Sequence, residues 1–171
     1  MYSYELKIPK ARVACLIGKK GSTKKEIENK LNIKLTISKE GDIIFEGEDS
    51  LNLLTAQSIA KAIGRGFIPQ EAFLLLNEEN YLEIIEIKDF TGKSIKKFRT
   101  IKARLIGREG KARKLLEQLT NTQISIYGKT VGIIGQIDNV KIAKQAVEKI
   151  LSGSPHGNVY MFIENQKRMI R

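Results

Sequence analysis

The chain has 171 residues, with 30 Lys or Arg against 19 Asp or Glu, so its formal charge is +11 and a polyanionic or acidic partner is favoured. Its 42% hydrophobic and 29% charged residues exclude disorder; no apolar run reaches the ~18 residues of a membrane-spanning helix, and Met1 to Lys7 lacks a signal-peptide pattern, so the expected location is cytoplasmic. One cysteine, Cys15, and one histidine, His156, exclude an internal disulfide and a four-ligand zinc site, and 6% aromatics without Trp leave little for stacked-ring recognition.

Residues 4–8 alternate and stop at Pro9, as a strand does. Val13, Leu16 and Ile17 then fall at i, i+3 and i+4 and predict a short helix, broken by Gly18-Lys19-Lys20-Gly21. Ser22 or Thr23 is a good N-cap for a second helix with Ile27 and Leu31 inward and Glu26 in its first turn. Residues 33–37 read as a strand, Gly41-Asp42 as a turn, and 43–46 as the partner strand. Asp49 or Ser50 caps a helix reaching about Ile63. A connector from Gly64 through Pro69 and the Leu-rich residues 72–76 is expected to bring two units into contact, because units this small bury few apolar residues alone. The order β-α-α-β-β-α then recurs over 82–87, 95–106, 111–119, 123–127, 130–134 and 139–151. In the tail, Ser154-Pro155-His156-Gly157 reads as a turn, and Val159, Phe162, Ile163 and Gln166 fall on one face of a terminal helix.

The recurrence is a duplication. Ile17-Gly18-Lys19-Lys20-Gly21 returns as Ile106-Gly107-Arg108-Glu109-Gly110, and at this offset Lys24-Lys25 meets Arg113-Lys114, Glu28 meets Glu117, and Asn32 meets Asn121. After a one-residue gap, Gly47 meets Gly135 and Gln57 meets Gln145. The spacing is too long for solenoid repeats of about 20 to 50 residues and fits two tandem globular modules.

A Gly-x-x-Gly loop between two helices has a physical use. Residues without Cβ let another backbone come close, while the following helix N-terminus offers N–H donors and a partial positive charge to phosphates. Lys19, Lys20 and Arg108 add cations at the loops, whereas Glu109 opposes them. One such loop is a weak signal; two in the same frame are a strong one.

These loops in this frame resemble K-homology (KH) domains of type I. The resemblance implies an α+β fold of two tandem type I KH domains, each a three-stranded antiparallel sheet packed against three helices, plus a C-terminal helix. It places the first domain at residues 1–78, with connector 64–78, and the second at 79–171, with tail helix 154–171. In that family the loop clamps about four nucleotides of a single strand. Carried over, the RNA-binding set is Gly18, Lys19, Lys20, Gly21, Lys24, Lys25, Arg104, Gly107, Arg108, Glu109, Gly110, Lys111, Arg113 and Lys114. The stretch Ala62-Ile63-Gly64-Arg65-Gly66-Phe67, the segment Leu82-Glu83-Ile84-Ile85-Glu86-Ile87 and the tail from Ser152 to Tyr160 are similar to the archaeal KH proteins of the partner-of-Nob (Dim-type) family. That narrower resemblance implies a non-enzymatic assembly factor of the small ribosomal subunit. Its implied partners are single-stranded RNA from the 3′ region of small-subunit rRNA, a Nob-type endonuclease, and the alpha subunit of translation initiation factor two, with no cofactor, metal or membrane.

Charge is unequal between the halves. Residues 1–80 hold 12 basic and 11 acidic side chains, whereas 81–171 hold 18 and 8, so the second unit is expected to dominate RNA binding. Residues 39–80 hold eight acids against three bases, a stretch expected to face a protein. Pro9 lies nine positions before Gly18, but Ile87 lies 20 before Gly107, so about 11 added residues are expected to lengthen the helix before the second loop.

Single residues have plainer readings too. Any one lysine here is an ordinary solvated side chain, Cys15 a small packed residue rather than a reactive thiol, and His156 a turn residue. Arg65 stays open between a helix C-terminal residue and a phosphate contact. Gly92-Lys93-Ser94 resembles the end of a P-loop, but the required first glycine would stand at Ile87. No Gly-x-Gly-x-x-Gly and no Ser/His/Asp set is present. Two other functions compete: a protein-interaction adaptor with a vestigial first loop, against which Lys19-Lys20 argues, and a general KH regulator of mRNA or exosome type.

Overall fold

The computed structural model describes residues 1–170, which divide into two compact units at Glu78–Glu79. In the first unit, strand β1 (Tyr2–Lys7) leads through a 3-10 turn (Lys10–Arg12) into helix α1 (Val13–Ile17). After the first glycine loop come α2 (Ser22–Leu31), β2 (Lys34–Ile37), β3 (Asp42–Gly47) and α3 (Ser50–Gly64). The sheet is antiparallel in the order β1-β3-β2, with Phe45 opposite both Tyr4 and Leu35. Alternation along β3 puts Ile43 and Phe45 into the core and leaves Ile44 outward. Leu16, Ile27, Leu53, Ile59 and Ile63 close the core from the helices.

The sequence places α3 well: Asp49 is its N-cap, its carboxylate accepting from the Leu51 N–H at 2.9 Å. At α2 the outcome differs. The residue before the helix is Gly21, in left-handed conformation, so Ser22 is already helical and makes no side-chain cap. Glu26 therefore lies beyond the first turn, where it pairs with Lys30 at 3.1 Å. The connector folds back on its own unit. Phe67 is fully buried, and α4 (Pro69–Ala72) with the 3-10 turn Phe73–Leu76 packs against α3.

In the second unit, β4 (Asn80–Glu86) is followed by α5 (Lys88–Thr91), α6 (Ile95–Ile106), the second glycine loop, and α7 (Lys111–Thr120). Then come β5 (Gln123–Tyr127), β6 (Thr130–Gln136), α8 (Ile137–Leu151) and α9 (His156–Ile170). The sheet order β4-β6-β5 repeats that of the first unit. The added residues before the loop make the short α5 as well as the longer α6, with the break at Gly92. The expected tail turn is corrected: His156 and Gly157 belong to α9, and the chain reverses at Ser152 to Pro155. Val159 and Ile163 are fully buried, with Phe162 partly packed and the Lys149 ammonium 4.7 Å from its ring centre.

Candidate nucleic-acid interface

The two glycine loops share one backbone. Gly18, Lys20 and Gly21 have φ of 78°, 56° and 75°, and Gly107, Glu109 and Gly110 have 76°, 54° and 75°. In each, the second glycine N–H donates to the carbonyl of the first at 3.1 Å, closing a 3-10 turn. The first glycine is required twice over. Its φ is positive, and a Cβ at Gly18 would sit 2.7 Å from the Thr23 backbone nitrogen, while one at Gly107 would sit 2.7 Å from that of Ala112. At Gly110 a Cβ would meet nothing within 4 Å, so the outer side of the loop is open to an incoming backbone. The middle residues Lys20 and Glu109 hold left-handed conformations that cost non-glycine residues about 1–2 kcal/mol. That strain is the same in both units.

Neither α2 nor α7 carries an acid in its first turn, so the positive end of each helix dipole faces its loop. Lys19, Lys20, Lys25, Arg108, Lys111 and Lys114 are exposed there, and Lys24 is half-buried. Ile17 and Ile106, just before the loops, stay half-exposed and leave apolar surface beside the phosphate-binding geometry. Glu109 is exposed at the apex of the second loop and subtracts from its field.

Two residues of the sequence-derived set, Arg113 and Arg104, make contacts within the fold. Arg113 is bound to Glu117 at 2.6 Å and to the Ile124 carbonyl at 3.3 Å, while the other Glu117 oxygen accepts from the Ile124 N–H at 2.9 Å. The same carboxylate bridge recurs between Glu28 and the Leu35 N–H at 3.0 Å, without the arginine. Arg104 donates to the carbonyls of Ile150 and Ser154 at the end of α8. Its guanidinium is thus directed at protein backbone. His156 locks the same corner by donating from Nε2 to the Arg104 carbonyl at 2.8 Å, which requires the proton on Nε2. Arg65 is the C-cap of α3, its N–H donating to the Lys61 carbonyl at 2.9 Å. Cys15 is partly buried, with an Arg12 N–H 3.5 Å from its sulfur.

Sequence reasoning passed over Lys129, which follows Gly128 in the β5–β6 turn, because it stands alone between uncharged neighbours. It also passed over Arg12, a lone arginine six positions before the loop with no local sign of the distant carbonyls it meets.

Two β-α-α-β-β-α units, each with a strained, open Gly-x-x-Gly loop at a helix N-terminus, define a tandem type I KH protein. Residues 81–168 match the family model for the second KH domain of PNO1, described as a eukaryotic type KH-domain (KH-domain type I), and residues 3–65 match the general KH domain. The chain belongs to the archaeal tandem KH proteins of the Dim/PNO1 type. It is 45% identical over 170 residues to KH domain-containing protein MJ0443 of Methanocaldococcus jannaschii, covering 97% of this chain and 74% of that protein. Its fold is similar to aDim2p of Pyrococcus horikoshii, solved in an a/eIF2alpha-aDim2p-rRNA complex, with TM-score 0.90 and 46% identity over 98% of this chain and 95% of that one. Pre-rRNA-processing protein PNO1 of Coccidioides immitis is 26% identical over 77% of this chain, which spans only 53% of that protein's length.

Proposed function

We propose that this protein is an RNA-binding ribosome assembly factor that grips unpaired bases in the 3′ region of small-subunit rRNA. It assists maturation of that region by a Nob-type endonuclease and does not cut the RNA itself. The observation that carries this reading is the duplicated loop, open on its outer side and set against a helix N-terminus and exposed cations. Unpaired rRNA is the physically suitable target, since its bases need not be unstacked from a duplex before they enter a KH groove. The pre-rRNA-processing role named for the PNO1 relative and the rRNA held by aDim2p support the target. The a/eIF2alpha in that complex supports the alpha subunit of translation initiation factor two as a protein partner.

The contacts are Gly18, Lys19, Lys20, Gly21, Lys24 and Lys25 in the first unit, and Gly107, Arg108, Gly110, Lys111 and Lys114 in the second. The second unit contributes more because it holds most of the positive charge. The protein works in the cytoplasm; among the described residues no helix is long and apolar enough to cross a membrane.

The test is binding of a short single-stranded 3′-end oligonucleotide against the same sequence annealed into a duplex, over a salt series, with purified nuclease added last. If one domain neutralises about four phosphates, log affinity falls with log salt at a slope of roughly −3. Preference for the duplex, a flat salt response, or cleavage by this chain alone would sink the proposal. Strong nuclease binding without RNA binding would favour the adaptor instead.

A further inference from the structure

The segment from α5 to the start of α6 has no counterpart in the first unit, where only nine positions separate Pro9 from Gly18. This added segment and the β5–β6 turn enclose a cavity of about 560 Å3, lined chiefly by Lys88, Lys93, Ile95, Phe98, Arg99 and Lys129. That volume lies in the range of about 300–1,000 Å3 typical of ligand sites. The lining carries four cationic side chains and no acidic one. The Ile87 N–H donates to the Lys129 carbonyl at 3.0 Å, so strand pairing sets Lys88 and Lys129 side by side. Gly92 turns the chain with φ of 59°, and a Cβ there would meet nothing within 4 Å, which leaves the mouth open. α6 begins at this cavity with no acid in its first turn, so its positive dipole end adds to the field. Ile95 is 69% exposed, and Phe98 is only partly packed on the core, so apolar surface stands beside the cations.

One stripe of α6 runs from the cavity to the second loop. Ile95, Phe98, Lys102 and Ile106 fall at i, i+3, i+7 and i+11, one stripe of α6 that ends at Gly107. The Lys102 ammonium lies 5.8 Å from the Phe98 ring centre and donates to the Gly128 carbonyl at 2.8 Å, bridging α6 to the β5–β6 turn along that stripe. A helix of 12 residues rises about 18 Å. At about 3.4 Å per stacked nucleotide, that is the reach of roughly five nucleotides.

We propose that this cavity is a second RNA subsite, which holds one nucleotide of the strand beyond those gripped at the Gly107–Gly110 loop. Its phosphate sits between Lys88 and Lys129, and its base lies against Phe98 and Ile95. The proposal rests on the RNA-binding reading above and adds to it a place that the KH loop does not reach. Like charge supports it: the neighbouring Lys129 ammonium, by direct contact and then by repulsion, holds Lys88 below the usual lysine range. An anion between the two relieves that repulsion and favours the charged form of both lysines. The mixture of cations with one aromatic and one aliphatic face fits a nucleotide, which has both a phosphate and a flat apolar base.

The experiment uses the full chain, with fluorescence anisotropy of single-stranded 3′-end RNA of about four and about 12 nucleotides, and a free mononucleotide as competitor. The double variant Lys88→Gln, Lys129→Gln is compared with the natural protein, both checked for equal unfolding midpoints. The expected result is about tenfold weaker binding of the longer RNA, a salt slope shallower by about 1, and binding of the shorter RNA unchanged within about twofold. An unchanged longer-RNA affinity in the double variant overturns the subsite, as does an equal loss at both lengths. Mononucleotide binding tighter than the gain from the longer RNA overturns it in favour of a free nucleotide. Failure of the natural protein to bind either RNA overturns the RNA-binding reading itself, which separates the two failures.

Discussion

Arg12 and Arg104 perform one task from positions that differ by a helical turn. Arg12 donates to the carbonyls of Ile63 and Phe67 at 2.8 and 2.9 Å, and Arg104 donates to those of Ile150 and Ser154 at 3.2 and 2.7 Å. Each guanidinium spans two carbonyls four residues apart, one in the last turn of its unit's long helix and one just beyond it, where the negative dipole end lies. With the glycine loops aligned, the position of Arg104 corresponds to Cys15, which Arg12 touches through Nη2. The duplicated units thus preserve the clamp while placing its arginine differently.

Replacing either arginine by glutamine removes charge-assisted hydrogen bonds, which are worth about 1.5–3 kcal/mol each in a typical series. Arg12→Gln and Arg104→Gln are each expected to lower unfolding stability by roughly that amount in urea denaturation. RNA affinity measured well below the unfolding midpoint should move by less than about twofold. A tenfold affinity loss in Arg104→Gln with unchanged stability would return Arg104 to the RNA contacts.

The two glycines of the second loop separate stability from binding. Gly107→Ala drives a Cβ within 2.7 Å of backbone at Ala112 and is strained at φ 76°, so at least about 2 kcal/mol of stability should be lost. Gly110→Ala meets open space and should cost only about 1 kcal/mol, from its positive φ. Its methyl nevertheless occupies the surface an RNA backbone would approach, so binding should weaken several-fold. Calorimetry and anisotropy on both variants read the contrast directly; equal stability losses would contradict the geometry.

Charge at the loop apex should act in both directions. Arg108→Asp sets a second carboxylate beside Glu109 and is expected to weaken RNA binding at least tenfold, whereas Glu109→Gln should strengthen it about threefold. A smaller loss is expected when Lys19 and Lys20 are both changed to Gln, since the first unit carries little net charge. Equal losses from both loops would remove the asymmetry between the units.

Arg113 and Lys111 share the first turn of α7 but differ in commitment. Arg113 is held by Glu117, while Lys111 is exposed and forms no ion pair among the described residues. Lys111→Gln is expected to reduce affinity and the steepness of its salt dependence by about one phosphate contact. Arg113→Gln should mainly loosen the bridge from α7 to β5, costing about 1 kcal/mol in unfolding stability. The reverse ordering, measured by salt titration of binding and by urea unfolding, would refute the assignment.

The sequence alone determined the duplication, the β-α-α-β-β-α order and both glycine loops, because each rests on a local signal: period, a turn residue, or a positive φ. Asn32 and Asn121 matched across the repeat for the same reason, since both end their helices in the left-handed conformation that Asn tolerates. The N-cap of α2 was misread because Ser22 carries a cap composition, while the preceding Gly21 takes the non-helical position and leaves the serine inside the helix. Gly47 and Gly135 were aligned without a reason. Tertiary structure supplies it, for a Cβ at either would sit 3.1 or 3.0 Å from a methyl of Ile33 or Thr122. Only the tertiary structure decided which cations face solvent and which hold the fold. Arg104 meets carbonyls 46 and 50 residues away, and Lys88 meets Lys129 because β4 pairs with β6. Charge is written in the sequence, but its partner is set by which chain segments fold back against it.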